Sequence, residues 1–351
     1  MLKKIWIALF CGVLGLSFLI FNVFSKQLSG DNHENRLLTG LPQVLQSPLA
    51  QLPDQLDNFL ADNSPFRYQL VSLSANLNYL LFGKTESDQV LAGRDGWLFY
   101  KDGPDAARPV ANYQGLPETF DSEETLAATA ASLDRLAATL AENGCTLVLD
   151  ITPSKDRVYQ EYMPDAYPIV NTENRTDRFV AYLRQHCTTP VSWQYDALRT
   201  RALADPDHLL YYKTDTHWNG RGAVLGLDGV LAAAGMDAVD FDEYEFAETG
   251  VTTGDLSNVS ALYDLLPEES TWTAENYDEL YEMDPRTVGV LGDSFSEYYM
   301  PYLQQRFDQC WRLTAEDSLT PAKAADPGCD LMILELTERN LDLLLRLLAQ
   351  F

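Results

Sequence analysis

Along residues 90–351 the apolar positions fall into two alternating patterns. Stretches with helical spacing, rich in Ala and Leu over 123–142 and recurring at 174–185, 220–234 and 340–349, are separated by short, almost continuous apolar runs. Those runs lie at 145–151, 191–193, 287–291, 311–314 and 330–336. A strand with one wet face alternates apolar and polar residues, whereas a continuous run implies a strand covered on both faces. Helices alternating with such strands predict a mostly parallel sheet between two helical layers, a three-layer α/β/α domain over 90–351. Ligands of such sheets sit beyond the carboxyl ends of the strands, so the residues that follow each run are where chemistry is expected.

The pattern ahead of this domain differs. Over 27–89, Pro42, Pro48, Pro53 and Pro65 punctuate short leucine-rich helical patterns, which predict a membrane-proximal helical entry segment. Residues 1–26 start Met1-Leu2-Lys3-Lys4 and are then almost wholly apolar from Ile5 to Phe24. About 20 apolar residues match the hydrocarbon thickness of a bilayer. Lysines ahead of the run hold its start in the cytoplasm and send the rest outside. No clear small-residue cleavage site follows. The run therefore predicts an uncleaved transmembrane helix, a single-pass anchor in the cell membrane with the main domain extracytoplasmic; a removed signal peptide is the alternative.

Two stretches carry candidate chemistry. Gly292-Asp293-Ser294-Phe295 follows the β-branched run Thr287 to Leu291 and precedes Ser296-Glu297-Tyr298-Tyr299-Met300, which reads as strand, tight turn, helix. That geometry lifts Ser294 out of the sheet and leaves its own N–H free to hold an oxyanion. Earlier in the chain, Thr214-Asp215-Thr216-His217-Trp218-Asn219 puts an aspartate two residues before a histidine. One carboxylate can then reach the near ring nitrogen and leave the far one for a serine. Serine oxygen is a poor nucleophile near neutral pH and needs such a base, with its tautomer fixed. Of four histidines, His217 alone combines this aspartate with a following Trp and a glycine-bounded helix start. Asp215, His217 and Ser294 are the candidate catalytic residues. Each motif taken singly also has a bland reading: Gly-Asp-Ser is a common turn, and an Asp-x-His pair often only satisfies a buried ring.

Other residues gather around these stretches. Lys155 and Arg339 follow strand ends and are read either as lining the site or as solvated loop charges. Tyr211, Tyr212, Trp218, Tyr298, Tyr299 and Tyr302 suit carbohydrate platforms or ordinary core packing. Asp205-Pro206-Asp207-His208 lacks further ligands at metal-binding spacing and reads as a loop, so neither metal nor cofactor is expected. Cys145, Cys187, Cys310 and Cys329 each precede a predicted strand, which predicts disulfides Cys145–Cys187 and Cys310–Cys329, with four buried thiols as the alternative. The net charge of −27, from 52 acidic and 25 basic residues, argues against a nucleic-acid partner. The same field repels a strongly anionic polymer unless a basic patch offsets it, favouring a neutral or weakly charged polysaccharide.

The order Asp-x-His-Trp then Gly-Asp-Ser-Phe is accompanied by Gly93-Arg94-Asp95-Gly96-Trp97-Leu98-Phe99-Tyr100, Thr152-Pro153-Ser154-Lys155, Gly254-Asp255-Leu256 and Thr337-Glu338-Arg339-Asn340-Leu341. Together these resemble the SGNH-hydrolase-like proteins related to the alginate O-acetyltransferases of the AlgX/AlgJ type, including the DHHW proteins of Gram-positive bacteria. The resemblance runs from residue 35 to 351, with one departure: Thr216 stands where the DHHW name would put its first histidine. It implies an SGNH-hydrolase-like fold and transfer of acetyl to the hydroxyls of an exported polysaccharide through an acetyl-Ser294 intermediate. It also implies a partner, a multi-pass membrane-bound O-acyltransferase that carries acetyl groups across the membrane. Two other readings use the same residues. One is a carbohydrate acetylesterase, in which water replaces the sugar acceptor; the other is a non-catalytic polysaccharide-binding scaffold.

Overall fold

The computed structural model describes residues 2–28, 39–62, 67–101 and 108–351. They divide into two compact units, residues of 1–87 with 257–267, and 88–256 with 268–351. The first unit holds helices Leu2–Leu28, Leu41–Gln46, Leu52–Asp62 and Arg67–Phe82. The Ser72 hydroxyl donates to Asp264 at 2.8 Å and ties the 257–267 segment to the last of these helices. The backbone of Leu2–Leu28 covers the predicted anchor, but the side chains from residue 17 onward lie outside the described residues. Among the described residues no helix is long and apolar enough to cross a membrane.

Among the described residues the second unit contains nine strands: β1 Val90–Ala92, β2 Leu98–Tyr100, β3 Thr146–Thr152, β4 Val191–Trp193, β5 Phe246–Thr252, β6 Glu269–Ala274, β7 Asp284–Gly292, β8 Phe307–Thr314 and β9 Leu331–Thr337. Five form one sheet in the order β4-β3-β9-β7-β8, with every neighbouring pair parallel. Successive residues of the central strands enter opposite apolar layers. Val148, Val290 and Ile333 join Ala223, Val224 and Leu227 from helix Gly220–Ala233 on one face. Leu147, Leu149, Met332 and Leu334 join Leu133, Phe179 and Leu344 from helices Glu123–Glu142, Arg175–His186 and Leu341–Leu348 on the other. Both faces are thus dry, which is why these strands read as continuous apolar runs. Each such side chain contributes roughly 1.5–3 kcal/mol by leaving water.

Caps set the helix limits. The Ser122 Oγ accepts the Thr125 N–H at 3.1 Å, and Asn174 Oδ1 accepts the Asp177 N–H at 3.0 Å, so two orphan donors are satisfied. Edge strand β8 starts earlier than its apolar run, because Asp308 and Gln309 face solvent. The antiparallel hairpin β5–β6 has no apolar run, being rich in Thr and Glu and half-exposed, and hydropathy does not announce it.

The predicted disulfides are not formed: Cys145, Cys187, Cys310 and Cys329 are free. β3 is flanked by both β4 and β9, and the Cys145 sulfur ahead of it turns to that of Cys329, ahead of β9, at 3.6 Å. Cys187 lies instead against the Ala130 carbonyl at 3.6 Å. Cys310 is separated from Cys329 because β7 stands between β8 and β9.

Candidate active site

The serine turn is built from the end of β7. Gly292 leaves room that a side chain would not: a Cβ there would meet Ser296 Oγ at 2.4 Å and Glu335 Oε2 at 2.8 Å. Asp293 then organises the turn with both carboxylate oxygens. Its Oδ1 accepts the Phe295 N–H at 3.0 Å. Its Oδ2 accepts the Thr337 N–H at 2.9 Å, Asn340 Nδ2 at 2.7 Å and the Thr337 hydroxyl. Burial works against ionising Asp293, but the Arg339 charge and the Thr337 donors outweigh it and hold its carboxyl below the ordinary range. Behind the turn, the Arg312 guanidinium donates to the Asp293 carbonyl at 2.7 Å and to Ser296 Oγ at 2.8 Å. Ser294 thereby becomes the first residue of a short 3₁₀ helix, Ser294–Tyr299, which runs on into helix Met300–Arg306.

The histidine loop is fastened from three sides. Tyr211 and Trp218 form an isolated antiparallel bridge that closes it. From below, the Lys155 ammonium donates to the carbonyls of Tyr212 at 3.0 Å, Lys213 at 2.9 Å and Asp215. Burial pulls the Lys155 ammonium down to about 8, although Glu269, Asp215, Asp255 and Asp156 favour its charge. From the hairpin, Glu269 accepts the N–H of Lys213 at 2.6 Å and of Thr214 at 2.8 Å, and the Thr214 hydroxyl at 2.6 Å. Leu98 of β2 donates its N–H to the Lys213 carbonyl at 2.8 Å, which gives the Gly-Trp-Leu-Phe stretch its purpose. Gly254 lets the 252–255 chain lie against this loop, since a Cβ there would fall 2.1 Å from the Thr214 carbonyl oxygen.

These two supports bring Asp215, His217 and Ser294 into one hydrogen-bond chain. His217 Nδ1 is 2.7 Å from Asp215 Oδ1, and Nε2 is 2.7 Å from Ser294 Oγ. Asp215 Oδ1 also accepts the His217 N–H at 2.9 Å, and Oδ2 accepts the Asp255 N–H at 2.8 Å. Burial opposes ionisation of Asp215; the His217 bond and charge and the two backbone donors overcome it, so its carboxyl lies below the ordinary range. Thr216 occupies a supporting place: its N–H and hydroxyl donate to Asp255 at 2.7 and 2.6 Å, and its oxygen lies 3.2 Å from His217 Nδ1. The arrangement can draw the proton from Ser294 onto Nε2 while the ionised Asp215 fixes the ring. Asp215, His217 and Asp255 also offer ligand atoms within 4.8 Å of one another, the one potential metal cluster among the described residues.

The remaining candidates separate. Trp218 is fully buried, edge-on to Phe295 at 5.3 Å, with Nε1 donating to the Phe295 carbonyl at 3.3 Å. It belongs to the core, as do Tyr211 and Tyr299, and all three are fully buried. Lys155 is 4% exposed, so it is neither a solvated loop charge nor free for substrate. Arg339 lies 5.2 Å from the Tyr100 and Phe295 rings, and with Lys155 and Thr216 it edges a crevice of about 10 Å³, room for one water at most. Tyr298 stacks on His217 at 5.6 Å and, with Tyr212 and Tyr302, lines a cleft of about 350 Å³ against β5 and β6. Asp205 and His208 form a 2.8 Å surface contact of the expected loop. Asp255, Glu269 and Asp293 carry no pattern that marks a supporting role; Asp255 and Asp293 stood out only within Gly254-Asp255-Leu256 and Gly292-Asp293-Ser294-Phe295.

Comparison with known proteins bears on this site. Residues 90–327 match the family model of the SGNH hydrolase-like domain, acetyltransferase AlgX. The chain belongs to this family. It is 29% identical over 230 residues to the probable alginate O-acetylase AlgJ of Pseudomonas putida, a match covering 63% of the chain and 53% of that protein. It is 27% identical over 254 residues to the probable alginate O-acetylase AlgJ of Pseudomonas syringae pv. tomato, covering 67% and 61%. The chain thus matches little more than half the length of these curated relatives. The solved O-acetyltransferase domain of Pseudomonas putida AlgJ aligns with 74% of the chain and 98% of that domain, at 19% identity and a TM-score of 0.47.

Proposed function

We propose that the protein is a membrane-anchored O-acetyltransferase that acetylates hydroxyls of an exported polysaccharide through an acetyl-serine intermediate. The observation that carries the reading is the unbroken chain Asp215–His217–Ser294, at 2.7 Å on each side of the imidazole, in a chain of this family. His217 Nε2 takes the Ser294 proton as Oγ attacks the acetyl carbonyl of the donor, and returns it to the leaving group. A sugar hydroxyl then attacks the acetyl-serine, its proton passing to the same nitrogen, and Ser294 is regenerated. The oxyanion donor we assign is the Ser294 N–H. As the first residue of a helix it has no partner from the helical pattern, and the Asp293 side chain takes the next N–H instead. Lys3 and Lys4 ahead of the apolar run Ile5 to Phe24 support a single-pass anchor with the domain outside the cytoplasm. In that setting the acetyl donor is a membrane-bound O-acyltransferase that moves acetyl across the bilayer.

The test is acetyl transfer by the full-length protein from an activated aryl acetate to polysaccharide. Wild type should transfer acetyl, and the His217→Ala variant should lose the rate by several orders of magnitude while keeping its circular dichroism spectrum. A folded His217→Ala variant with wild-type transfer would refute the mechanism.

A further inference from the structure

The cleft beside His217 has a chemical character distinct from what a polyuronate requires. Its floor is the end of the helix Gly220–Ala233 and the 3₁₀ turn, through Gly220, Tyr298 and Tyr302; its wall is the β5–β6 hairpin. On that hairpin Thr249 Oγ1 lies 3.3 Å from Thr271 Oγ1 and 3.5 Å from Thr273 Oγ1, a ladder of hydroxyls facing the Tyr298 and Tyr302 side of the cleft. The helix can approach the hairpin only because residue 220 is glycine, whose absent Cβ would sit 1.8 Å from the Trp272 carbonyl oxygen. At about 350 Å³ the cleft is at the small end of ligand sites.

Among the described residues that line it there is no Lys, Arg or His, and the one ionised side chain is Glu297. The Arg312 guanidinium, which pairs with Glu297 at 3.2 Å, is also engaged by Ser296 Oγ and the Asp293 carbonyl. Lys155 and Arg339 belong to the small crevice edged by Thr216. A uronate carboxylate entering the cleft would lose water, find no cation, and meet a like charge. A neutral pyranose meets what its surface needs, hydroxyls to exchange hydrogen bonds and aromatic faces for its C–H surface.

We propose that this cleft seats the acceptor as an uncharged sugar and selects against uronates, unlike the anionic polymer in the name of its probable alginate O-acetylase relatives. Calling that sugar the acceptor rests on the acetyl-transfer reading above, whereas the binding preference does not. Binding of a neutral β-linked glucan oligomer and of a uronate oligomer of equal length is therefore measured by titration calorimetry on the full-length protein without any acetyl donor. The glucan should bind at least about ten-fold tighter. Tyr298→Ala should weaken glucan binding by about ten-fold through loss of an aromatic face. Glu297→Gln should raise uronate affinity and narrow the gap. Thr249→Trp, at an exposed position, fills the cleft and should abolish glucan binding even where Tyr298→Ala fails to fold. Uronate binding as tight as glucan, or glucan binding unmoved by Thr249→Trp, overturns the proposal. A chain that binds glucan yet never transfers acetyl keeps this inference and defeats the transfer reading; one that transfers acetyl but prefers uronate does the reverse.

Discussion

Lys155 is the clearest case of a residue far from the reacting atoms on which the site depends. Replacing it with Met keeps an unbranched stem beneath Trp97 and Phe99 and removes the ammonium from three carbonyls. Two of those bonds, to Tyr212 and Asp215, are buried, and a buried acceptor left unpaired costs roughly 1–3 kcal/mol, so the loop loses roughly 2–6 kcal/mol. Against this stands relief from burying a charge. The fall of the ammonium from 10.5 to about 8 corresponds to roughly 3 kcal/mol that the variant no longer carries. The two effects partly offset, leaving a net loss of a few kcal/mol at most, and the domain stays folded. Local geometry does not recover in the same way, because the Asp215 carbonyl is among those released. A displacement of about 1 Å in a catalytic group costs roughly 10²-fold in rate. Lys155→Met should therefore lower kcat on an activated acetyl ester by about 10²-fold. KM should change little, since Lys155 does not line the large cleft. Steady-state kinetics beside circular dichroism and a melting curve make the comparison. A folded variant with wild-type kcat would refute the claim that the ammonium positions Asp215.

Three further outcomes are expected. Asp215→Asn should reduce kcat by roughly 10³–10⁴-fold while leaving the fold intact, because the amide favours the wrong imidazole tautomer; a loss below ten-fold in the kinetics would remove Asp215 from the mechanism. Gly254→Ala drives a methyl to 2.1 Å from the Thr214 carbonyl oxygen, and should cost about 1–3 kcal/mol in denaturant titration and lower kcat with it. Burial and the neighbouring Glu338 push the Asp156 carboxyl up from 3.8 to about 7. Between those values the native protein holds a proton that the unfolded chain has lost, so this contribution to stability is full below 3.8 and is lost as pH rises through about 7. Asp156→Asn should accordingly raise Tm relative to wild type more at pH 8 than at pH 5, and an equal shift at both would contradict the assignment.

Much of the fold was legible because both faces of the sheet are dry. Helix 123–142 and the strand after it were set by local apolar pattern and capping, and they stand where expected. What pattern cannot give is lateral order. Nothing local says that β9 inserts between β3 and β7, which brings Cys329 beside Cys145 and leaves β7 between Cys310 and Cys329. The hairpin β5–β6 was illegible for a related reason: its threonines and glutamates are half-exposed, so neither period nor hydropathy marks them, yet they wall the cleft. At the site, Asp215 and His217 are close in sequence and Ser294 follows a recognisable strand, so the three could be named. Their supports were named without their roles or not at all: Lys155 and Asp293 lay in quoted motifs and Glu269 in none, and all three act through backbone carbonyls and amides that sequence does not display. For Trp218 the sequence left platform and core packing open, because a Trp beside a motif residue does not reveal which way the ring points; here it is buried in the core.

The central claim is that Ser294 carries the acetyl group. The full-length protein is mixed with an activated aryl acetate, quenched on the burst timescale, digested, and mapped by mass spectrometry. One acetyl group should appear on the peptide containing Ser294, decay faster when a neutral glucan is added, and be absent from Ser294→Ala. Acetylation of another residue at the same rate, or an unlabelled Ser294 in an enzyme that still turns over, would contradict the account.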